Sequence, residues 1–224
     1  MWLEPSSGSS EEPDPEFFRR MGPPENEIPV VLPLAAVLTR TPDVAVALTR
    51  IAVFSTGLLI DLVVRGRPGA VPAADILQML WSYEGGSPRM LIGLELADGT
   101  RVDNRRQAPM DDVVFTPQGG SGNEYSVDQG WWLYSLPPSG PLRVVIRCPE
   151  LGIAETSTEL DGAAVRHAVG DVVELWPWTP PRSVEDRRGL PPDVPDDSWF
   201  AELEPDRRPT TAEDDRSVTA GSAR

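Results

Sequence analysis

Hydrophobic side chains alternate with small or polar ones along the middle of the chain, a pattern typical of strands with one buried face. The alternation runs through residues 44–53, pauses at residues 55–57 and resumes through residues 58–64. This pattern predicts a β-hairpin with Gly57 at a left-handed position in its turn, because glycine has no Cβ to clash at positive φ. The alternation changes parity near Arg50, which predicts a β-bulge there.

The same two-residue period recurs in later segments. Residues 90–96 alternate as far as Asp98-Gly99, a strong hairpin signal, and residues 100–102 are the predicted return strand. Further strands are predicted at residues 142–148, 153–160 and 172–176.

Helical patterns are brief, and they occur at "AADILQML" and at "GAAVRHA", where Asp161 is placed to cap the first turn. Many strands separated by turns, with only one or two short helices, predict an all-β fold. The simplest such fold is an antiparallel two-sheet β-sandwich, immunoglobulin-like in general architecture. A closed β-barrel is the alternative that the same pattern allows.

Composition changes at both ends of the chain. Residues 1–29 and 179–224 are rich in proline and acidic residues and contain few aliphatic residues, so they supply little for a core. The sequence therefore predicts one β-sandwich domain over residues 30–178. It also predicts that residues 1–29 are a disordered acidic N-terminal tail and residues 179–224 a disordered C-terminal tail rich in proline and acids.

The net charge of −15 argues against nucleic-acid binding, because attraction to phosphates needs a basic surface. All 20 basic residues are arginine. Either the codon bias of a GC-rich genome or selection for bidentate guanidinium contacts explains this composition. The longest apolar stretch, residues 46–64, contains Arg50 and Asp61, so no membrane span is predicted. A single cysteine and an N-terminus without an export signal predict a cytoplasmic protein.

Residue types that carry catalysis are sparse. His167 and Cys148 are single occurrences, which excludes zinc sites built from several such ligands, and no metal or cofactor site is predicted. Their positions favour a surface histidine and a buried thiol over a nucleophilic pair. Carboxylates near Asp111 and Asp128 are the candidates for a hydrolase, although the adjacent Asp111 and Asp112 would point to opposite faces of a strand.

The glycine-rich stretch "GGSGNEYSVD" precedes a run of large side chains. It lacks the Lys-Ser/Thr of a phosphate-binding loop and opens a strand, not a helix, so a flexible inter-strand loop is predicted.

The strand that follows is the one candidate for a binding site. Its period places Trp131 with Leu133 on one face and Trp132 with Tyr134 on the other, and only one face can meet the main core. Trp132 and Tyr134 therefore either pack beneath "VLPLAAVL" (residues 31–38) or form an exposed aromatic platform. The candidate platform residues, together with those of the neighbouring glycine loop, are Trp132, Tyr134, Asn123 and Tyr125.

Four segments resemble a family of uncharacterised proteins from GC-rich bacteria. They are "TPDVAVALTRIAVFSTGLLIDLVVRGR", "LADGTRV", "GGSGNEYSVD" and "PLRVVIRCPELGIAETSTELDGAAVRHA", and the resemblance covers roughly residues 37 to 176. The family has no assigned activity, so the resemblance implies a recurring bacterial domain and carries over no site residues.

The sequence thus predicts a non-catalytic binding or accessory module that interacts with another protein. Two alternatives remain: a carboxylate-dependent hydrolase, and a carbohydrate-binding domain that uses Trp132 and Tyr134. The pattern predicts no catalytic residue and leaves the oligomeric state open.

Overall fold

The computed structural model describes residues 15–80, 88–105, 111–180, 195 and 198–200. The chain divides into two units, Met1–Pro181 and Arg182–Arg224. The first unit has an all-β, sandwich-like fold, as predicted. In the second unit, the rings of Trp199 and Phe200 meet edge to face at 5.2 Å. The predicted disordered tails lie outside the described residues at residues 1–14 and over most of residues 181–224.

The first unit contains twelve described strands and three described α-helices. The strands are β1 (Glu27–Ile28), β2 (Val30–Leu32), β3 (Ala36–Arg40), β4 (Val44–Val53), β5 (Gly57–Gly66), β6 (Leu91–Glu95), β7 (Arg101–Asp103), β8 (Val114–Gly122), β9 (Ser126–Tyr134), β10 (Pro141–Cys148), β11 (Ile153–Asp161) and β12 (Val173–Glu174). The helices are α1 (Pro15–Met21), α2 (Ala73–Leu80) and α3 (Gly162–Ala168).

The strands form two main sheets and a small ribbon. The large sheet has six strands in the order β2-β4-β5-β9-β8, with β3 also pairing β4, and the small sheet has the order β11-β10-β6-β7. Strands β1 and β12 form a separate two-stranded ribbon. All of the strand pairs are antiparallel. One hydrophobic core lies between the facing sides of the two sheets and includes side chains from α2 and α3.

The predicted hairpin is strands β4 and β5, and its bulge lies between Leu48 and Arg50, as the parity change indicated. The role predicted for Gly57 is wrong, because Gly57 is not among the residues with positive φ. A Cβ at Gly57 would lie 2.2 Å from the carbonyl O of Leu133 and 2.8 Å from the ring of Trp132. Glycine is needed here for the close approach of β9, a long-range contact that a turn pattern does not contain.

Two local predictions are confirmed. Gly99 has a φ of 85° in the hairpin between β6 and β7, where Asp98 accepts a hydrogen bond from the amide N of Thr100 at 2.9 Å. This bond lowers the pKa of Asp98. Asp161 caps α3 by accepting a hydrogen bond from the amide N of Ala163 at 2.9 Å.

Residues 15–29, predicted to belong to a disordered tail, instead contain α1 and β1. Strand β1 pairs with β12, and α1 contacts β8 and β9. The physical reason is that α1 is held by polar and aromatic contacts at Glu16, Arg20 and Met21. A prediction based on the number of aliphatic residues does not detect such contacts.

Cys148 lies in the core on the inner face of β10 with Val144 and Ile146, as predicted. Its Sγ is 3.8 Å from the Sδ of Met79 in α2. Burial raises the pKa of the Cys148 thiol, and the negative charge of Glu150 acts in the same direction.

Cys148 should therefore react far more slowly with a thiol reagent in the native protein than in denaturant. The thiolate is the reactive form, and both burial and the raised pKa suppress it. Stopped-flow labelling at pH 8 with and without guanidinium chloride measures the two rates. Equal rates would contradict the inward position of Cys148.

Among the described residues, no helix combines the length and the apolar character that a membrane crossing requires.

Candidate functional site

The two adjacent tryptophans of β9 lie on opposite faces of the large sheet, as the two-residue period predicts. Trp131 belongs to the main core, where its ring stacks on that of Phe115 with a centroid distance of 5.1 Å. Trp132 is also fully buried, but it belongs to a separate small cluster on the outer face. We call this cluster the aromatic face; its members are Ala52, Phe54, Leu59, Trp132 and Tyr134.

Helix α1 covers the aromatic face. The Nε1 of Trp132 donates a hydrogen bond to the carbonyl O of Arg20 at 3.0 Å, and the hydroxyl of Tyr134 donates to Oε1 of Glu16 at 3.2 Å. The guanidinium of Arg20 lies 5.3 Å from the centroid of the Tyr134 ring, a cation–π geometry. With α1 in place, Trp132 is not an exposed platform.

The prediction that residues 31–38 cover Trp132 and Tyr134 is wrong. Those residues form β2 and β3, which pair with β4 at the edge of the same sheet. The aromatic cluster is indeed covered, but by a segment that the sequence pattern assigned to a tail.

The contacts of α1 concentrate on its C-terminal end. The Nε2 of Gln118 donates to the carbonyl O of Met21 at 2.7 Å, and Thr116 Oγ1 lies 3.5 Å from the same oxygen. Together with the Nε1 of Trp132, these donors bond the carbonyl oxygens at the C-terminal end of α1, which have no hydrogen-bond partners within the helix. The large sheet therefore holds α1 through the backbone oxygens of Arg20 and Met21 as well as through the side chain of Glu16.

Asn123 and Tyr125 do not join the aromatic face. The Oδ1 of Asn123 accepts from the amide N of Tyr125 at 3.0 Å, and the Tyr125 hydroxyl donates to Glu124 at 2.7 Å, which raises the pKa of Tyr125. Both residues form the turn between β8 and β9, whereas Trp132 lies seven positions beyond Tyr125 along the chain, about 23 Å away at the rise of a strand. They stabilise the turn locally.

The glycine-rich stretch is largely strand. Gly119, Gly120 and Gly122 belong to β8, and the register with β9 shifts between Pro117 and Gly120. A Cβ at Gly120 would lie 2.7 Å from the carbonyl O of Asp128, so the close approach of β9 requires glycine there. The prediction of a flexible loop over residues 119–122 is therefore wrong.

The carboxylates proposed for a hydrolase do not converge. Asp128 pairs with Ser121 near the turn of the β8–β9 hairpin, whereas Asp111 precedes Val114, which pairs with Tyr134 at the opposite end. Asp111 instead uses its carbonyl O to accept a hydrogen bond from Arg20 at 2.9 Å. This geometry gives no acid and base on either side of one bond.

An exposed apolar surface lies on the β1–β12 ribbon. Ile28 pairs directly with Val173, so their side chains share one face, and Leu175 extends this pairing by donating its amide N to the carbonyl O of Asn26 at 2.8 Å. Trp176 follows. We call these four side chains the ribbon strip: Ile28, Val173, Leu175 and Trp176. Each of them is between 45% and 58% exposed.

The backbone beneath the ribbon strip is held by specific contacts. The buried Asn26 donates through Nδ2 to the carbonyl O of Trp176 at 2.7 Å. The carboxylate of Glu27 accepts from the amide N of Ser55 at 2.9 Å and also from its hydroxyl, which ties the ribbon to the turn between β4 and β5. The strip is thus presented by an anchored backbone.

The sequence predicts a strand at residues 172–176 but assigns its partner β1 to a disordered tail, so it does not predict the ribbon strip. A usable signal was the segment "LWPW" (residues 175–178), which places two tryptophans around a proline. The structure buries part of Trp178, whose ring lies 4.9 Å from the guanidinium of Arg19, and leaves Trp176 exposed.

No group of three or more His, Cys, Asp or Glu side chains suited to a metal ion occurs among the described residues. The His167 Nδ1 lies 2.9 Å from the carbonyl O of Ala163 within α3, and Cys148 is enclosed in the core. Comparison of the chain with known protein families, with curated proteins and with solved structures gives no match.

Proposed function

We propose that this protein is a non-catalytic module that binds another protein through the ribbon strip. The observation that carries the proposal is the exposure of Ile28, Val173 and Leu175 along the anchored β1–β12 ribbon, with the exposed Trp176 as the next residue in the chain. Clustered exposed apolar side chains mark interaction sites more often than singly scattered ones do.

The composition of the strip fits a binding surface. Tryptophan is enriched among residues that dominate binding energy, because it offers a large rigid area at low cost in conformational entropy. The exposed acidic residues Glu25, Asp171 and Glu174 lie next to the strip in the chain. The partner surface that would complement it is an apolar pocket with a basic rim.

Replacing Trp176 by alanine should remove partner binding and change the free energy of unfolding by less than about 0.5 kcal/mol, because the side chain is 58% exposed. The matched control is Trp199→Ala, which removes another exposed tryptophan outside the ribbon. Immobilised wild-type protein and both variants would be incubated with extract of the native host, and the retained proteins identified by mass spectrometry.

We expect the same protein to be retained by wild type and by Trp199→Ala and to be lost from Trp176→Ala. Titration of that purified protein should then show at least tenfold weaker binding to Trp176→Ala, which corresponds to about 1.4 kcal/mol. Equal retention by all three baits would refute a role of the ribbon strip.

A further inference from the structure

The outer face of the small sheet carries a row of charges that alternate in sign. The register places one residue from each strand side by side, in the order Glu159, Arg143, Glu95 and Arg101 from β11 to β7. We call these four side chains the charged row. The carboxylate of Glu95 lies 3.2 Å from Nη1 of Arg143 and 2.8 Å from Nη2 of Arg101. The two arginine side chains are still 44% and 77% exposed, so each can reach a further carboxylate above the sheet.

The next row of the same face is small and partly apolar. Its members, again from β11 to β7, are Ser157, Val145, Gly93 and Asp103. A groove of about 530 Å³ lies over this row, since Gly93 has no side chain to fill it. Val145 is partly exposed beside that space. The row therefore presents a protruding side chain next to a hollow.

The charged row is complementary to its own reverse. Consider a two-fold axis that lies in the plane of contact, parallel to the strands and midway between β10 and β6. This axis places β10 of one copy over β6 of the other, and β11 over β7. Arg143 then faces Glu95 of the second copy, and Glu159 faces Arg101 of the second copy, so all four facing pairs have opposite charge.

The same rotation also matches the neighbouring row. Val145 of each copy faces the hollow over Gly93 of the other, and Ser157 faces Asp103, whose carboxylate can accept from its hydroxyl. Other placements of the axis pair like charges. An axis perpendicular to the strands and over the charged row sets each charge against its own copy, and an axis directly over β10 sets Arg143 against Arg143.

We propose that two copies of this chain associate through the outer faces of their small sheets about the axis between β10 and β6. A contact of this kind is isologous, because each copy contributes the same residues. The charge pattern defines how the two sheets are aligned, and such complementarity contributes more to orientation than to affinity.

The size of the face predicts a weak dimer. Strands spaced about 4.8 Å apart, and a distance of about 13 Å along β10 from Arg143 to Arg147, give about 400 Å² per copy with the margins included. Stable complexes bury about 800 Å² per partner, so we expect a dissociation constant of about 10–100 µM. Salt should weaken the dimer, because the facing charges are partly exposed to solvent.

Sedimentation velocity of the full chain measures this association. The wild-type protein should sediment as a monomer at about 2 µM and mainly as a dimer at about 200 µM in low salt. Sodium chloride at about 0.5 M should shift it back towards the monomer.

Charge reversals test the facing pairs. Because the two-fold axis repeats every contact, Arg143→Glu and Glu95→Arg each place two like-charge pairs across the interface, and each should weaken dimerisation at least tenfold. Arg50→Glu is the matched control, since it reverses another partly exposed, ion-paired arginine on β4 of the large sheet. It should leave the dissociation constant within about twofold of the wild-type value. Circular dichroism checks that each variant is folded.

Mixing the two reversed variants gives the most specific measurement. In a mixed dimer the altered position 143 of one copy faces the altered position 95 of the other, so every facing pair again has opposite charge. The mixture should dimerise about as tightly as the wild type, although neither variant does so alone. Since the chain has no lysine, an amine-reactive dye labels only the N-terminal amine, and fluorescence-detected sedimentation follows one variant as the other is added.

Four results would contradict the proposal. They are a wild-type protein that remains monomeric at about 200 µM, a dimer that Arg143→Glu leaves unchanged, a mixture of the reversed variants that stays monomeric, and loss of the dimer in Trp176→Ala but not in Arg143→Glu. The last of these would assign self-association to the ribbon strip, with which the charged row shares no residue. If a single reversal does not fold, the double variant Arg143→Glu/Glu95→Arg replaces it, and it should dimerise like the wild type.

Discussion

Replacing Gly57 by alanine should lower the free energy of unfolding by about 3 kcal/mol or more. The new Cβ would lie 2.2 Å from the carbonyl O of Leu133 and 2.8 Å from two ring atoms of Trp132. Backbone and a buried indole cannot both move aside without separating β5 from β9. Overpacking of this kind commonly costs about 1–3 kcal/mol, and a clash with backbone puts it at the upper end or beyond.

Urea denaturation followed by far-ultraviolet circular dichroism measures this loss. Gly119→Ala is the matched control, because a Cβ there meets nothing within 4 Å and the residue is exposed on β8. Its effect should stay within about 0.5 kcal/mol. Similar midpoints for the two variants would show that β9 does not approach Gly57 as closely as the structure places it.

Replacing Trp131 by alanine should cost about 3–5 kcal/mol, enough to unfold a domain of ordinary stability. The side chain is 2% exposed, lies between the two sheets and stacks on Phe115. Its removal leaves a cavity in the main core that neighbouring strands cannot close. Thermal and urea unfolding of purified variants would give the size of the loss.

Trp132→Ala provides the comparison, and it should destabilise the protein about as much, because Trp132 is 0% exposed beneath α1. Phenylalanine substitutions should separate the two positions. Among the described groups, Trp131 Nε1 has no hydrogen-bond partner, so Trp131→Phe loses only packing. Trp132→Phe also loses the bond to Arg20 and should make the chain more sensitive to proteolysis near residue 20. If Trp132→Ala left stability unchanged, α1 would not be a cover that contributes to the fold.

Local pattern was enough to predict the strands and turns whose determinants are close in sequence. The β4–β5 hairpin, its bulge, the Asp98-Gly99 turn and the Asp161 cap each depend on a few consecutive residues, and the structure has all of them. The opposite orientations of Trp131 and Trp132 follow from the same strand period.

The ribbon strip could not be predicted in this way. Its members are residue 28 and residues 173, 175 and 176, and the pairing of Ile28 with Val173 brings the two segments together, while Asn26 and Glu27 tie the ribbon to the backbone at Trp176 and to Ser55. The pattern predicts the strand at residues 172–176, but the two residues of β1 show no period, so the pairing between them leaves no local signal.

The sequence by itself determined the class of fold, because alternation of apolar side chains dictates which face of each strand is buried and turn residues dictate where strands end. Only the tertiary structure decided what covers the outer face of the large sheet. Helix α1 meets Trp132 across 112 positions of chain, through backbone oxygens that every residue possesses. Such a contact leaves no mark in the local pattern, since its energy depends on a distance in space and not on the identities of neighbouring residues.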